Sequence, residues 1–208
     1  MSDPRPRTVG RGYDAIADRF ADWMGQIGGD PRGEWTAHLL HLLPQRARVV
    51  DLGCGAGLPS TKLFADAGHV VTGVDISAEQ IRRARKNVPS AHFVHADITE
   101  LALDPASVDA VTAYYSLNHV PREILGSLLA RISGWLAPKG LLLAALGAGN
   151  SPDWTGEWLG ATMFFSSWDA ETKRQLIQAA DLETIRDEVV TLHEPEGDAL
   201  FHWILARR

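Results

Sequence analysis

An acidic residue followed by evenly spaced glycines forms the most informative segment of this sequence. Asp51 ends a short apolar run and precedes Gly53 and Gly55, with a third glycine two residues further on. Where a strand runs into such a loop, backbone N–H groups lie at its carboxyl end, and a ligand can approach the main chain closely because no Cβ intervenes. A second apolar run, 69–74, ends in Asp75, whose carboxylate can accept two hydrogen bonds from a ribose diol. The pair predicts a nucleoside-containing cofactor held across the ends of neighbouring parallel strands.

The glycine spacing leaves three interpretations open. Dinucleotide-binding folds use Gly-x-Gly-x-x-Gly, which would place the third glycine at Leu58, whereas this chain has it at Gly57. The acid at Asp51 also differs from the hydride-transfer pattern, so the order is instead Asp-x-Gly-x-Gly-x-Gly. A glycine-rich turn in an unrelated α/β domain is the third interpretation, which the spacing to Asp75 disfavours.

Alternating strands and helices surround these residues. Apolar runs that end in polar or glycine-rich loops alternate with helical periodicity, which predicts an α/β fold with a mostly parallel sheet and helices on both faces. Two β-rich runs, 184–193 and 199–206, flank a short turn-forming segment and predict a final antiparallel hairpin. The predicted parallel strands are 48–52, 70–74, 92–95, 108–114 and 141–146.

Composition narrows the class of protein. The 208 residues are 45% hydrophobic, which suits one domain with a substantial core. The formal net charge of −6 argues against a nucleic-acid partner. The single cysteine, Cys54, excludes an intrachain disulfide and fits a reducing compartment. Because the first ten residues carry no apolar signal region and the longest apolar run, 141–148, is too short to cross a bilayer, we expect a cytoplasmic protein without a membrane partner, as a monomer or homodimer.

Four segments together resemble a known family. VVDLGCGAG, VTGVDISAEQI, FVHADI and VDAVTAYYSLNHV are similar, in order and spacing, to the successive cofactor motifs of class I S-adenosylmethionine-dependent methyltransferases. The resemblance runs from about Tyr13 to the C-terminus and is strongest to small methyltransferases of quinone and natural-product pathways. It implies a Rossmann-like sheet of seven strands with the antiparallel hairpin at its end. It also implies S-adenosylmethionine as cofactor, S-adenosylhomocysteine as product, and a small-molecule acceptor.

The resemblance assigns one group of residues to the methionyl end of the cofactor. Tyr114 should offer its carbonyl to the methionyl amine, and Tyr13 matches an aromatic residue that closes over this end of the cofactor. A structural alternative for Tyr13 is that it is simply the first core residue of its helix. The residues assigned to this end are Tyr13, Asp51, Gly53, Cys54, Gly55 and Tyr114.

A second group is assigned to the nucleoside. Asp75 should accept from the ribose hydroxyls, and Ile76 should pack on the adenine face. Asp97 matches the position that accepts from the adenine amino group, with Ile98 beside the ring. The alternative for Asp97 is that its side chain only caps the turn after the third strand.

His119 is the predicted catalytic residue. A hydroxyl acceptor must lose a proton during methyl transfer, and a neutral histidine can take it. His119 follows the fourth strand at the carboxyl edge of the sheet, beside the expected methyl donor. The alternative is a structural histidine that orders the loop before Pro121.

We interpret the chain as one domain, 1–208, with three special segments. Residues 1–11 are predicted to be a flexible tail, 12–43 to be helices over the site, and 148–168 to be an insertion that forms the acceptor pocket. No Lys or Arg lies between 139 and 173, so an aromatic or apolar acceptor is favoured, with a sugar as the second option. The residues predicted to bind the acceptor are Tyr115, Trp154, Trp158, Met163 and Phe164.

Two other functions and a metal site were weighed. A nicotinamide-dependent oxidoreductase is disfavoured by the glycine spacing and the final hairpin, while a non-catalytic S-adenosylmethionine-binding subunit stays open. No metal site is predicted, because His92 and His95 lie three apart on a strand and point to opposite faces.

Overall fold

The computed structural model describes residues 3–208, which form six α-helices and nine strands. The helices are α1 (Arg5–Met24), α2 (Arg32–Leu42), α3 (Ser60–Asp66), α4 (Ala78–Asn87), α5 (Arg122–Trp135) and α6 (Ala170–Ala179). The strands are β1 (Arg48–Leu52), β2 (Val70–Asp75), β3 (His92–His95), β4 (Val108–Tyr114), β5 (Leu136–Gly147), β6 (Ser151–Trp158), β7 (Ala161–Ser167), β8 (Glu183–Glu194) and β9 (Gly197–Arg207). A 3₁₀ turn, Ser116–His119, follows β4.

Seven strands form one sheet in the order β3-β2-β1-β4-β5-β9-β8. The first five strands of the chain pair in parallel, whereas β9 is antiparallel to both β5 and β8. The predicted fold class, including the C-terminal hairpin, is confirmed. Parallel strands end on the same edge, so the loops after β1, β2 and β4 lie side by side.

Helices cover both faces of the sheet, which is why its strands read as nearly continuous apolar runs. Val49 and Val50 point to opposite faces, and each joins a different core cluster. One cluster includes side chains of α5 and α6, and the other includes Trp35 of α2 and Phe64 of α3. No helix within residues 3–208 is long and apolar enough to cross a membrane.

The N-terminal segment differs from the prediction. Residues 5–11 were expected to be a flexible tail, but they are the first turns of α1, while residues 1 and 2 lie outside the described part. The helix packs against β7 and α4. Gly12 permits a close approach to β7, because a Cβ there would lie 2.5 Å from the sulfur of Met163. Tertiary packing of this kind supplies helical stability that local sequence does not reveal.

The predicted insertion is a separate two-stranded hairpin. Strands β6 and β7 pair with each other and not with the large sheet. The hairpin lies beside α1 and the 3₁₀ turn after β4. Its position brings the insertion to the same edge of the sheet as the glycine loop.

Candidate functional site

A cavity of about 1370 Å³ lies at the carboxyl ends of β1, β2 and β4. The helix α1, the β6–β7 hairpin and the tip of the β8–β9 hairpin contribute its other walls. Pockets for a single drug-sized ligand measure about 300–1,000 Å³. The cavity therefore has room for a nucleoside cofactor and a second molecule beside it.

The glycine loop contributes close approach and not hydrogen-bond donors. The N–H groups of Gly53 and Cys54 both donate to the carbonyl of Val74, at 2.7 and 3.0 Å, and Gly55 donates to Asp75 Oδ2 at 2.8 Å. These three N–H groups are thus already bonded within the protein. Gly55 has φ +53° and a Cβ on it would meet no atom within 4 Å, so its Cα faces open cavity.

Cys54 lines the same wall, but its thiol is not a reactive group. Burial raises the pKa of the thiol, and the nearby carboxylates of Asp75 and Asp51 raise it further. A protonated thiol is a poor nucleophile. The side chain therefore serves as a small apolar contact.

Asp51 does not reach the cavity, which corrects its assignment to the cofactor. Its side chain is 1% exposed and accepts hydrogen bonds from Thr61 Oγ1 at 2.6 Å and Thr112 Oγ1 at 2.9 Å. Burial raises the pKa of this carboxyl, and the two hydroxyls oppose that shift. Asp51 ties β1 to α3 and β4, and so supports the loop from behind.

Asp75 lies on the cavity wall with its hydrogen-bonding capacity only half used. Oδ1 accepts from the N–H of Ser77 and Oδ2 from the N–H of Gly55, both at 2.8 Å. Burial raises the pKa of this carboxyl to about 6, although the two N–H donors favour its ionised form. Each oxygen keeps a second lone pair, and two adjacent acceptors fit a vicinal diol.

The nucleoside side of the cavity is completed by three further predicted residues. Ile76, Asp97 and Ile98 all line it. Asp97 Oδ1 accepts from the N–H of Thr99 at 2.8 Å, so the turn-capping role is present. The other carboxylate oxygen is not used by that bond. Capping and ligand contact are therefore compatible, and the contact stays a prediction.

Arg32 is a site residue that sequence reasoning missed. It is 9% exposed, lines the cavity, and lies 5.6 and 4.9 Å from the ring centres of Tyr114 and Tyr115. One guanidinium nitrogen pairs with Asp30 at 3.1 Å, while the buried Nε has no hydrogen-bond partner among residues 3–208. A buried N–H without a partner costs about 1–3 kcal/mol, which an anionic ligand group would offset.

The two tyrosines after β4 have different surroundings. Tyr114 lines the cavity, and its hydroxyl lies 2.8 Å from Thr36 Oγ1 of α2. Tyr115 also lines the cavity, in a left-handed conformation with φ 63°, and donates to Asp30 Oδ1 at 2.8 Å. The predicted roles of the Tyr114 carbonyl and the Tyr115 side chain stay predictions.

His119 and Tyr13 meet on the cavity wall. His119 Nε2 lies 2.9 Å from the hydroxyl of Tyr13, and its Nδ1 lies 2.7 Å from the carbonyl of Phe164. Burial lowers the pKa of His119 to about 4, so the imidazole is neutral at pH 7. Burial also raises the pKa of Tyr13, and the charge of Asp75 adds to that shift. The predicted base is thus present, with both of its nitrogens already engaged.

An aromatic cluster forms another part of the cavity wall. Trp158 lies 5.2 Å from Trp23, 6.0 Å from Phe20 and 5.5 Å from Phe165, measured between ring centres. All four line the cavity. Of these four, only Trp158 was among the predicted acceptor residues. Phe20 and Trp23 of α1 were not, because nothing in the sequence shows that β6–β7 lies across from that helix.

Three other predicted acceptor residues do not line the cavity. Trp154 is 46% exposed, Met163 is covered by α1 at Gly12, and Phe164 is 1% exposed with Arg5 over its ring. Strand alternation explains Phe164, since it points away from the side that Phe165 occupies. Their assignment to acceptor binding is corrected.

No cluster of His, Cys, Asp or Glu with metal-binding geometry occurs among the residues that the structure describes.

Comparison with known proteins finds similarity to methyltransferases over part of this chain. A family model described as a methyltransferase domain matches residues 49–140. The 27-O-demethylrifamycin SV methyltransferase of Amycolatopsis mediterranei is 35% identical over 145 residues, which are 58% of this chain and 52% of that protein. A trans-aconitate 2-methyltransferase of Paracidovorax citrulli is 42% identical over 118 residues, 54% of this chain and 44% of that protein. The chain thus spans about half the length of these relatives.

A solved structure shares the whole fold. The 1,6-didemethyltoxoflavin-N1-methyltransferase of Burkholderia thailandensis superposes with a TM-score of 0.73 at 22% identity, covering 100% of this chain and 91% of the other. That structure holds 1,6-didemethyltoxoflavin and S-adenosylhomocysteine. At this identity the match concerns the fold alone.

Proposed function

We propose that this chain is a class I S-adenosylmethionine-dependent methyltransferase and that it transfers a methyl group from S-adenosylmethionine to a hydroxyl of a neutral aromatic or apolar small molecule. The observation that carries the proposal is the large cavity that Asp75 and the aromatic cluster both line. Asp75 has the acceptors that a ribose needs, and the cluster has ring surfaces for a flat molecule.

The chain offers a matching group for each part of the cofactor. Asp75 accepts from the ribose diol, and Ile76 and Ile98 enclose the adenine ring. The unsatisfied Nε of Arg32 points to an anionic partner, and the methionyl carboxylate supplies one. Gly55 lets the ligand pass close to the backbone, because a side chain there would occupy cavity space.

Aromatic side chains favour a flat acceptor. Trp158, Trp23 and Phe20 present ring faces and edges with centre-to-centre distances of 5.2–6.2 Å. Such surfaces bind ring systems by offset and edge-on packing, worth about 0.5–1.5 kcal/mol per pair beyond area burial. A sugar is the second candidate, since pyranose faces also stack on tryptophan.

The charged residues of the cavity disfavour an anionic acceptor. Six acidic and four basic residues line the cavity, and three of the basic ones, Arg82, Arg83 and Lys86, belong to α4. The fourth, Arg32, is paired with Asp30, while Glu194 and Asp198 of the β8–β9 hairpin add acidic groups. Burial raises the pKa of Glu194, and neighbouring Glu196 raises it further. A carboxylate acceptor bound away from α4 would thus meet mostly negative charge, with Arg32 as the one cation among the cavity residues outside that helix.

Bound S-adenosylmethionine supplies a methyl group that its sulfonium already activates. The protein must then align the acceptor, exclude water and provide for the hydroxyl proton. Trp158 and Phe165 shield the cavity from water, and His119, which is neutral at pH 7, can hold the proton that leaves the hydroxyl.

A binding titration tests the class of cofactor. S-adenosylmethionine and S-adenosylhomocysteine should bind and raise the melting temperature by mass action, whereas NAD should do neither. Binding of NAD with no binding of S-adenosylhomocysteine would support an oxidoreductase instead.

A matched acceptor series tests the substrate class. 2-Naphthol, 2-naphthoate and 2-naphthylamine share one ring system and differ only in the group offered for methylation. We expect methylation of the naphthol and none of the naphthoate. A preference for the amine or for a sugar would overturn the hydroxyl–aromatic assignment. No turnover with any acceptor, despite tight cofactor binding, would support a non-catalytic subunit.

A further inference from the structure

The contacts of His119 determine which nitrogen carries its proton. A carbonyl oxygen can only accept, so Nδ1, 2.7 Å from the carbonyl of Phe164, must be the protonated nitrogen. The neutral ring then has its lone pair on Nε2, 2.9 Å from the Tyr13 hydroxyl. Tyr13 is therefore the donor of that hydrogen bond. The lone pair that a general base needs is thus already occupied by the tyrosine proton.

The tyrosine oxygen is the group left for an acceptor. Tyr13 Oη donates its one proton to His119 and keeps its lone pairs, while the ring lines the cavity. Its ring packs 5.1 Å from Phe20 and 6.3 Å from Trp158, at the edge of the aromatic cluster. An acceptor ring on that cluster would bring its hydroxyl to the Tyr13 oxygen.

We propose that Tyr13 is the residue that takes the acceptor's proton, and that it passes its own proton to His119 Nε2 in the same step. The acceptor oxygen forms its bond to the methyl carbon as the carbon–sulfur bond breaks, and that electron pair stays on sulfur. Tyr13 ends neutral, and His119 ends as imidazolium. This inference rests on the proposed function and adds a catalytic role for Tyr13, with His119 as a positioning residue that stores the proton.

The surroundings favour a coupled transfer over a separated ion pair. Burial raises the pKa of Tyr13 and lowers that of His119 to about 4, so the resting pair is neutral. Asp75 is the charged group that acts on Tyr13, and aromatic Phe165 packs 4.6 Å from the His119 ring. The proton reaches His119 only as the acceptor gives one up. The positive charge gained by His119 replaces the sulfonium charge that methyl transfer removes from the cavity.

Tyr13→Phe tests the proposal with little change to packing. The variant keeps the ring between Phe20 and Trp158 and removes only the hydroxyl. We expect S-adenosylhomocysteine affinity within threefold of wild type, and kcat for 2-naphthol lower by about 10²–10⁴. With a thiophenol that is already ionised at the assay pH, the loss should be far smaller. Normal kcat for 2-naphthol in this variant would overturn the proposal.

His119→Gln separates proton storage from structure. The Gln oxygen can still accept from Tyr13, but the amide takes no proton. We expect a loss of kcat like that of Tyr13→Phe and no further loss in the double variant. The wild type should show an acidic limb near pH 4, set by the lowered pKa of His119, and that limb should disappear in His119→Gln. Additive losses would overturn the relay. Wild-type turnover of 2-naphthol is the reference: its absence refutes the proposed function itself, whereas normal wild-type turnover with an unaffected Tyr13→Phe refutes only the relay.

Discussion

Two carboxylates 24 residues apart in the chain, Asp51 and Asp75, have different roles because their hydrogen-bond donors differ. Asp51 is enclosed by two threonine hydroxyls, which leave it inside the protein. Asp75 receives two backbone N–H groups from one side, so its other lone pairs face the cavity. An acidic side chain at the end of a strand can therefore support neighbouring elements or bind a ligand, depending on which hydrogen-bond donors surround it.

Asp75→Asn should weaken S-adenosylhomocysteine binding without unfolding the protein. The amide keeps the size of the side chain and one acceptor, but loses the charge that strengthens hydrogen bonds to a diol. We expect a loss of about 1.5–3 kcal/mol, or roughly 10- to 150-fold in Kd. Calorimetric titration measures it, with circular dichroism to check the fold. Unchanged affinity would show that Asp75 does not contact the ribose.

Binding should also depend on pH through this carboxylate. The pKa of Asp75 is raised to about 6, and the ionised form is the better acceptor for the diol. Above pH 6 affinity should be constant; below pH 6 the carboxyl must lose a proton first, so Kd should rise towards tenfold per unit. Calorimetry in buffers of different ionisation enthalpy should detect proton release on binding near pH 5.5. Asp75→Asn should abolish both effects.

Local spacing could predict Asp75 but could not predict Arg32. An acid at a fixed distance from a glycine loop on the next strand is a sequence pattern. Arg32 begins α2, and only the packing of that helix under Tyr114 and Tyr115 brings its guanidinium to the cavity. The burial of Asp51 could not be predicted either, since Thr61 and Thr112 come from two other elements.

At the scale of elements, the loop after β1 combines strained backbone with open space. Gly55→Ala should add a methyl group where the cofactor lies. It should also lower the free energy of unfolding by about 1–2 kcal/mol, because alanine is strained at the positive φ of this position. Gly68→Ala is the matched control, because Gly68 has φ +83°, no atom within 4 Å of a Cβ, and lies on no cavity wall. Both variants should lose similar stability in urea melts. Only Gly55→Ala should weaken S-adenosylhomocysteine binding, and equal affinity in the two would contradict the placement of the loop.

Two tryptophans of the β6–β7 hairpin pack on Phe165, but only Trp158 lines the cavity. Trp158→Ala should raise KM or lower kcat for an aromatic acceptor, because it removes the centre of the aromatic cluster. Trp154→Ala is the control, since that side chain is 46% exposed and lies off the cavity wall. Steady-state kinetics with 2-naphthol compares them, with S-adenosylhomocysteine affinity expected near wild type in both. Equal impairment would mean that the hairpin acts as a unit and not through Trp158.

The apolar character of this hairpin could be predicted from the sequence, but the pairing of its two strands could not. Its tryptophans and phenylalanines predicted an apolar surface in the right part of the chain. Which of them face the cavity depends on the register of β6 against β7 and on the cover that α1 provides over Met163. The strands of the large sheet were predictable as apolar runs, and α4 was predictable because Ser77 caps its first turn by accepting from the N–H of Gln80.

At the scale of the whole molecule, α1 is the element that encloses the cavity. It contributes Tyr13, Phe20 and Trp23 to the cavity wall, and it packs against β7 and α4. Arg5 attaches its first turn to Glu123 of α5 and Asp153 of β6, each at 2.5 Å. Because α1 forms one wall of the cavity, movement of this helix would widen the cavity, and we expect these contacts to affect the rate at which a ligand leaves.

Release of S-adenosylhomocysteine should therefore be faster in Arg5→Met. The substitution keeps an apolar stem near the Phe164 ring but removes two ion pairs between elements. Partly exposed pairs contribute about 0.2–1 kcal/mol each, so we expect the dissociation rate to rise roughly 2- to 30-fold. Arg174→Met is the control, because its pairs with Glu171 and Asp187 lie away from the cavity. Hydrogen exchange gives an independent measurement: S-adenosylhomocysteine should protect α1 amides, less so in Arg5→Met, and leave the α5 amides unchanged. If the ligand left α1 exchange unaltered, the helix would not be the cover of the site.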